Sequence, residues 1–203
     1  MINKLRMSAA GAALAVMAMA SAANAAETET ATAEADVVLA FTLTNDTDLD
    51  FGAIVNAAGG GDVTVATDDS VSCGGSLVCH GTTTAAAFSI AGGTIGKNLY
   101  IDLPVTDNDP LTLGVTAITM VHDDKAALQL ADPTLLDAAV EIELHSFTTS
   151  SDGSDANGDY VTIVDDGSGA GEASFSVGGT ASLDGSEVEG RYSATFDVTV
   201  DYE

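Results

Sequence analysis

Positive charge is nearly missing from this chain, tryptophan is absent, and cysteine occurs only twice. Of 203 residues, 5 are Lys or Arg and 31 are Asp or Glu, a formal net charge of −26. A field of that sign repels nucleic acid and anionic lipid, so neither is an expected partner. Two cysteines cannot make a four-thiolate zinc site, and His80 alone does not complete one. The three histidines, His80, His122 and His145, form no paired metal motif and read as ordinary surface or strand residues. There is no Gly-x-Ser-x-Gly elbow and no glycine loop leading from strand to helix around a phosphate. In so acidic a chain no single carboxylate pair is informative. No enzyme signature emerges, and a secreted hydrolase survives only as a third class. Aromatic residues are 5% of the chain, which also ends in Glu203. An outer-membrane barrel needs strands of ~9–11 residues and aromatic girdles, so that class is disfavoured.

The N-terminus carries a targeting pattern. Lys4 and Arg6 precede an apolar stretch, Met7 to Ala20, and Ala23-Asn24-Ala25 is a small-x-small cleavage site. Residues 1–25 are therefore expected to be a signal peptide, cut before Ala26. No cysteine lies near that site, so a lipoprotein is not expected. No later run reaches the ~20 apolar residues of a spanning helix, so no transmembrane segment is expected in the mature chain. The expected route is export through the periplasm to the cell surface or beyond. What remains suits one domain, with room for an extension.

Apolar residues make up 46% of the chain and glycine occurs 21 times. Short alternating runs broken by Gly, Asp and Asn predict an all-β, antiparallel sandwich or barrel. Residues 26–36 form a polar leader without apolar periodicity. Val37, Leu39, Phe41 and Leu43 then share one face of a strand. Strands are also expected in Leu49–Ile54, Val63–Val65, Thr82–Ala91, Leu99–Leu103, Leu111–Val121, Val140–Thr148, Ala173–Val177 and Ala181–Leu183. Ala126–Leu136 is ambiguous, with Pro133 limiting any helix. Loops are expected at Asp152–Asp159 and Asp165–Gly171. The clearest pattern closes the chain. Tyr192, Ala194, Phe196, Val198, Val200 and Tyr202 alternate with Thr195, Asp197, Thr199 and Asp201, one oily face against one wet face. Such a strand must pair in register or stand as an edge open to another chain.

Cys73 and Cys79 enclose five residues, two of them glycine, and export favours a structural disulfide. Asp155, Asn157 and Asp159 occupy alternate positions of the acidic loop. Oxygen ligands at that spacing can converge on calcium, but the later bidentate Glu of an EF-hand is missing, and turn formation explains the same residues. No other cofactor is expected.

Three motifs reach beyond composition: the alternating strand Val37–Leu43, Leu49-Asp50-Phe51-Gly52, and the terminal Gly190…Tyr192…Tyr202 strand. They resemble pilins of the archaic chaperone–usher type and the related spore coat protein U domain. The mature chain is most similar to a secreted bacterial domain-of-unknown-function family, the one numbered four-four-zero-two, over roughly residues 30–203. The shared features are the Leu-x-Phe-Gly start, a short Cys loop, the Ser-Phe-x-Val-Gly-Gly segment (Ser174 to Gly179) and the Tyr-Ser-x-Thr-Phe-x-Val-Thr-Val ending. One departure is that Asn45 to Asp48 lacks the cysteine found near the end of the first strand in spore-coat-U domains.

The resemblance implies an immunoglobulin-like antiparallel β-sandwich, pilin-like, that lacks its last strand. Residues 26–48 would be an N-terminal extension and residues 49–203 the sandwich. Val37, Leu39, Phe41 and Leu43 would be a donor strand, entering a groove on a neighbouring subunit. Gly190, Tyr192, Phe196, Val198, Val200 and Tyr202 would flank that groove, covered first by a periplasmic chaperone. This is donor-strand complementation, a form of β-augmentation. The implied function is a non-enzymatic subunit of a surface fimbria, with itself and a chaperone and usher as partners. The alternative is a monomeric secreted or surface-associated binding module, with calcium as a possible stabiliser. Whether Val37–Leu43 pairs within its own chain or with a neighbour stays open at this level.

Overall fold

The structure, a computed structural model, describes residues 29–55, 59–104 and 118–202. The expected signal peptide, and the first part of the strand expected at Leu111–Val121, lie outside the described residues. The chain divides into two units, Met1–Asp36 and Val37–Glu203. The described part of the first, residues 29–36, is exposed and has no regular secondary structure.

The second unit is almost entirely β. In chain order its strands are β1 (Phe41–Thr47), β2 (Ala53–Val55), β3 (Gly61–Val65), β4 (Val71–Cys73), β5 (Val78–His80), β6 (Ala86–Gly92), β7 (Asn98–Asp102) and β8 (Ile118–His122). After a helix, α1 (Lys125–Ala131), come β9 (Glu141–Thr149), β10 (Gly153–Asp155), β11 (Gly158–Thr162), β12 (Val164–Asp165), β13 (Gly171–Leu183), β14 (Tyr192–Ser193) and β15 (Thr199–Tyr202). One sheet runs β1-β6-β13-β9-β8-β14, with β3 and β12 joining beside β13 and β4 beside β3. A second, four-stranded sheet runs β10-β11-β7-β15, and β2 pairs with β5 alone. Every strand pairing is antiparallel.

β13 is the spine. Glu172–Val177 pair with β6, Gly179–Leu183 pair with β3, and β9 runs along the other side. The two strands expected here are therefore one. Gly178 does not break it, because the close approach of β3 requires a residue without a side chain: a Cβ there would lie 2.4 Å from Val65 O. Phe88 and Ile90 of β6 and Phe175 and Val177 of β13 pack with Leu99 and Ile101 of β7 into one buried cluster spanning both sheets. The Phe88 and Phe175 rings stack at 5.2 Å. Full burial of each such side chain contributes about 1.5–3 kcal/mol. A second cluster gathers Phe51, Val63, Val65, Leu77, Ile142 and Leu144. At its margin the Cys73–Cys79 disulfide ties β4 to β5. A closed loop this short is worth about 2 kcal/mol in the chain-entropy account.

The ambiguous segment resolves as α1, which stops before Pro133 as the missing N–H demands. It buries no residue. Its Lys125 holds it down by pairing with Asp137 at 2.8 Å and with Glu141. The loop expected at Asp152–Asp159 is the turn-forming reading of that segment carried further: it is the tight β10–β11 hairpin, with only Ala156-Asn157 at its tip. Of the two readings for the histidines, His122 and His145 take the strand one, in β8 and β9, and both are buried. Each is 5% exposed, and both ring nitrogens of each are hydrogen-bonded.

The terminal segment departs most from expectation. Its alternation is continuous, but its pairing is not. Tyr192–Ser193 pairs with β8 in the larger sheet, and Thr199–Tyr202 pairs with β7 in the smaller one. Gly190 lets the chain pass over His122, whose Nε2 would lie 1.9 Å from any Cβ. The Tyr192 ring meets His122 edge-on at 5.0 Å, and its hydroxyl reaches Val188 O at 2.9 Å. The chain then crosses between the sheets.

The seam between the first and last strands

β1 stands at one edge of the larger sheet and β15 at one edge of the smaller. Each has a single strand neighbour among the described residues, β6 for β1 and β7 for β15. At one corner the two edges meet. The Phe41 and Tyr202 rings pack edge to face at 5.5 Å. The Tyr202 hydroxyl donates to Leu39 O at 2.8 Å and accepts the Thr94 N–H at 2.9 Å. Leu39 N–H donates to Thr94 Oγ1 at 2.8 Å. Gly93 makes this possible: a Cβ there would lie 2.8 Å from the Tyr202 hydroxyl.

From that corner an apolar row runs along both edges. Phe41, Leu43 and Leu49 come from the first strand and its continuation, and Phe196, Val198, Val200 and Tyr202 from the terminal segment. All seven pack against the buried cluster, yet all are only half-buried. Phe196 leans on Phe147 at 4.7 Å. Burial pushes the Tyr192 phenol above its ordinary value, and the Glu187 carboxylate adds to this.

The sequence-derived donor residues do not stay together. Phe41 and Leu43 pair with Gly92 and Ile90 of the chain's own β6. Phe41–Thr47 is thus a strand of the sheet, although residues up to 48 were expected in the extension. Val37 and Leu39 lie before β1 and are 86% and 64% exposed. Every residue from 29 to 40 is exposed. One signal in that stretch escapes a reading for large apolar residues. Ala31, Ala33, Ala35, Val37 and Leu39 fall on one parity, with Thr32, Glu34 and Asp36 on the other. Alanine's small side chain hides the period.

The three candidate calcium ligands take separate roles. The Asp155 carboxylate accepts the Tyr100 hydroxyl at 2.9 Å and the Asn157 N–H at 2.8 Å. Asp159 lies on the opposite parity of the hairpin and lines a cavity of about 320 Å³ with Ile101, Leu103 and Phe147. Among the described residues no group of three or more His, Cys, Asp or Glu side chains converges as a metal site. No helix there is long and apolar enough to cross a membrane.

No curated protein and no solved structure matches this chain significantly. Residues 41–202, from the first residue of β1 to the last of β15, match the model of one family, the domain of unknown function DUF4402, and the chain belongs to that family.

Proposed function

We propose that the exported chain is a non-enzymatic structural subunit of a surface fibre, joined to its neighbours by strand donation. The observation that carries this reading is the half-covered apolar row along two sheet edges that each lack a second neighbour among the described residues. One more strand laid beside β15 would cover those side chains and pair its open backbone edge. The chain supplies a candidate strand of its own. Phe41 and Leu43 are committed to the chain's own sheet, and Leu39 is tied to Tyr202. The donor therefore moves upstream, to Ala31–Val37. Seven residues at about 3.3 Å each span about 23 Å, the length of Phe196–Tyr202. Burying three alanine methyls and one valine side chain contributes about 4 kcal/mol before ordering costs. Backbone pairing supplies the rest. A periplasmic chaperone would hold the same seam before assembly.

The test is an unboiled detergent gel of fibres sheared from the producing cell, beside an Ala33→Asp, Val37→Asp variant. Both residues are exposed, so the monomer should keep its fold and melting temperature. The expected result is a heat-labile ladder that the variant abolishes. A ladder in both proteins overturns the donor assignment. A lone monomer band in both overturns the fibre and leaves the self-contained binding module.

A further inference from the structure

The outer face of the smaller sheet is separate from the seam. On β15 the seam takes Val200 and Tyr202, whereas Thr199 and Asp201 point the other way. Register sets Tyr160, Tyr100 and Asp201 side by side across three strands. The two tyrosine rings stand 5.8 Å apart at 63°, forming a corner. Tyr160 lies down over Gly153, where a Cβ would come within 2.5 Å of its hydroxyl. Around this corner are the exposed carboxylates of Asp102, Asp155 and Asp201. Asp155 is held in place by the Tyr100 hydroxyl on one oxygen and the Asn157 N–H on the other. No Lys or Arg occurs in the four strands, and Lys97 precedes the first residue of β7.

We infer that this face docks a basic segment of a partner protein, seating an arginine or lysine side chain against Tyr100 and Tyr160 between the carboxylates. Aromatic faces attract cations, and an anion fixed beforehand loses little freedom on binding. Charge complementarity names the occupant. A second copy presenting this same face, which carries carboxylates and no Lys or Arg, is repelled, and so are phosphate-bearing ligands. The surface does not depend on the fibre reading and would serve a monomer equally.

The experiment is calorimetry of the mature full chain at physiological salt with a short alternating arginine–glycine peptide, and with the matching glutamate–glycine peptide. Only the basic peptide should bind. Tyr100→Leu with Tyr160→Leu keeps the net charge and should weaken binding about tenfold. Tyr100→Phe with Tyr160→Phe keeps both rings and should stay within about threefold of the parent. Asp155→Asn should weaken binding, and Asp165→Asn with Asp166→Asn, beside the other sheet, should not. Absence of binding by the parent, or unchanged binding by the leucine variant, overturns the proposal. If the leucine variant fails to fold, the aspartate variants decide, and equal losses at both places would reduce the effect to general charge and overturn it.

Discussion

Val177 and Val200 occupy the same kind of position, an inward site on an antiparallel strand, yet Val177 is fully buried and Val200 half covered. Phe175 and Phe41 repeat the contrast, 3% exposed against half-buried. Residue type does not distinguish the pairs. Neighbours do: among the described residues β13 is flanked along both sides, whereas β1 and β15 each have one strand beside them. Among the described residues the half-burial of the seam follows from topology and not from residue type.

The comparison can be broken by truncation. Phe175→Ala should cost about 3–5 kcal/mol, since the cavity it leaves in the flanked centre cannot collapse. Val198→Ala, at the seam, should cost under about 1.5 kcal/mol, because its side chain already meets solvent. Urea denaturation of the monomer measures both, and equal losses would erase the distinction between centre and seam. A smaller effect sharpens it. Tyr202→Phe keeps the ring on Phe41 but removes the hydroxyl shared by Leu39 and Thr94, a loss of about 1 kcal/mol at the corner. The smallest effect lies away from both regions. Hydrogen bonds from Ser70, Thr134 and Ser168, hydroxyl and N–H together, hold the carboxyls of Asp68, Asp132 and Asp166 below their ordinary 3.8. A depressed carboxyl adds stability above its unfolded pKa and loses it as pH falls through the folded one. These three should titrate below the ordinary aspartate value in a carboxyl NMR titration into acid, and seam variants should leave them unmoved.

Much of the fold was legible in the residues. The strand class, β3, β7 and β9 follow from the residue pattern, and the disulfide from cysteine count and the expected export. Alternation reports which face is buried, however, and not which strand is the partner. That is why Tyr192 to Tyr202 reads as one strand while its hydrogen bonds belong to two sheets. It is also why Val37–Leu43 reads as one face while the chain keeps only its second half. Polar strands escaped for the opposite reason. Gly153–Asp155 and Gly158–Thr162 carry turn-forming residues, and only the register with β7 makes them a sheet edge. The tyrosine corner was illegible for the same reason, because Tyr100 and Tyr160 meet only through that register.

The Tyr202–Leu39 hydrogen bond joins residues 163 positions apart. Closing a flexible loop of that length costs about 4–5 kcal/mol, several times what one neutral hydrogen bond contributes. The bond cannot initiate folding. It forms once the sheets have already brought the first and last strands together, so it reports their assembly and does not drive it.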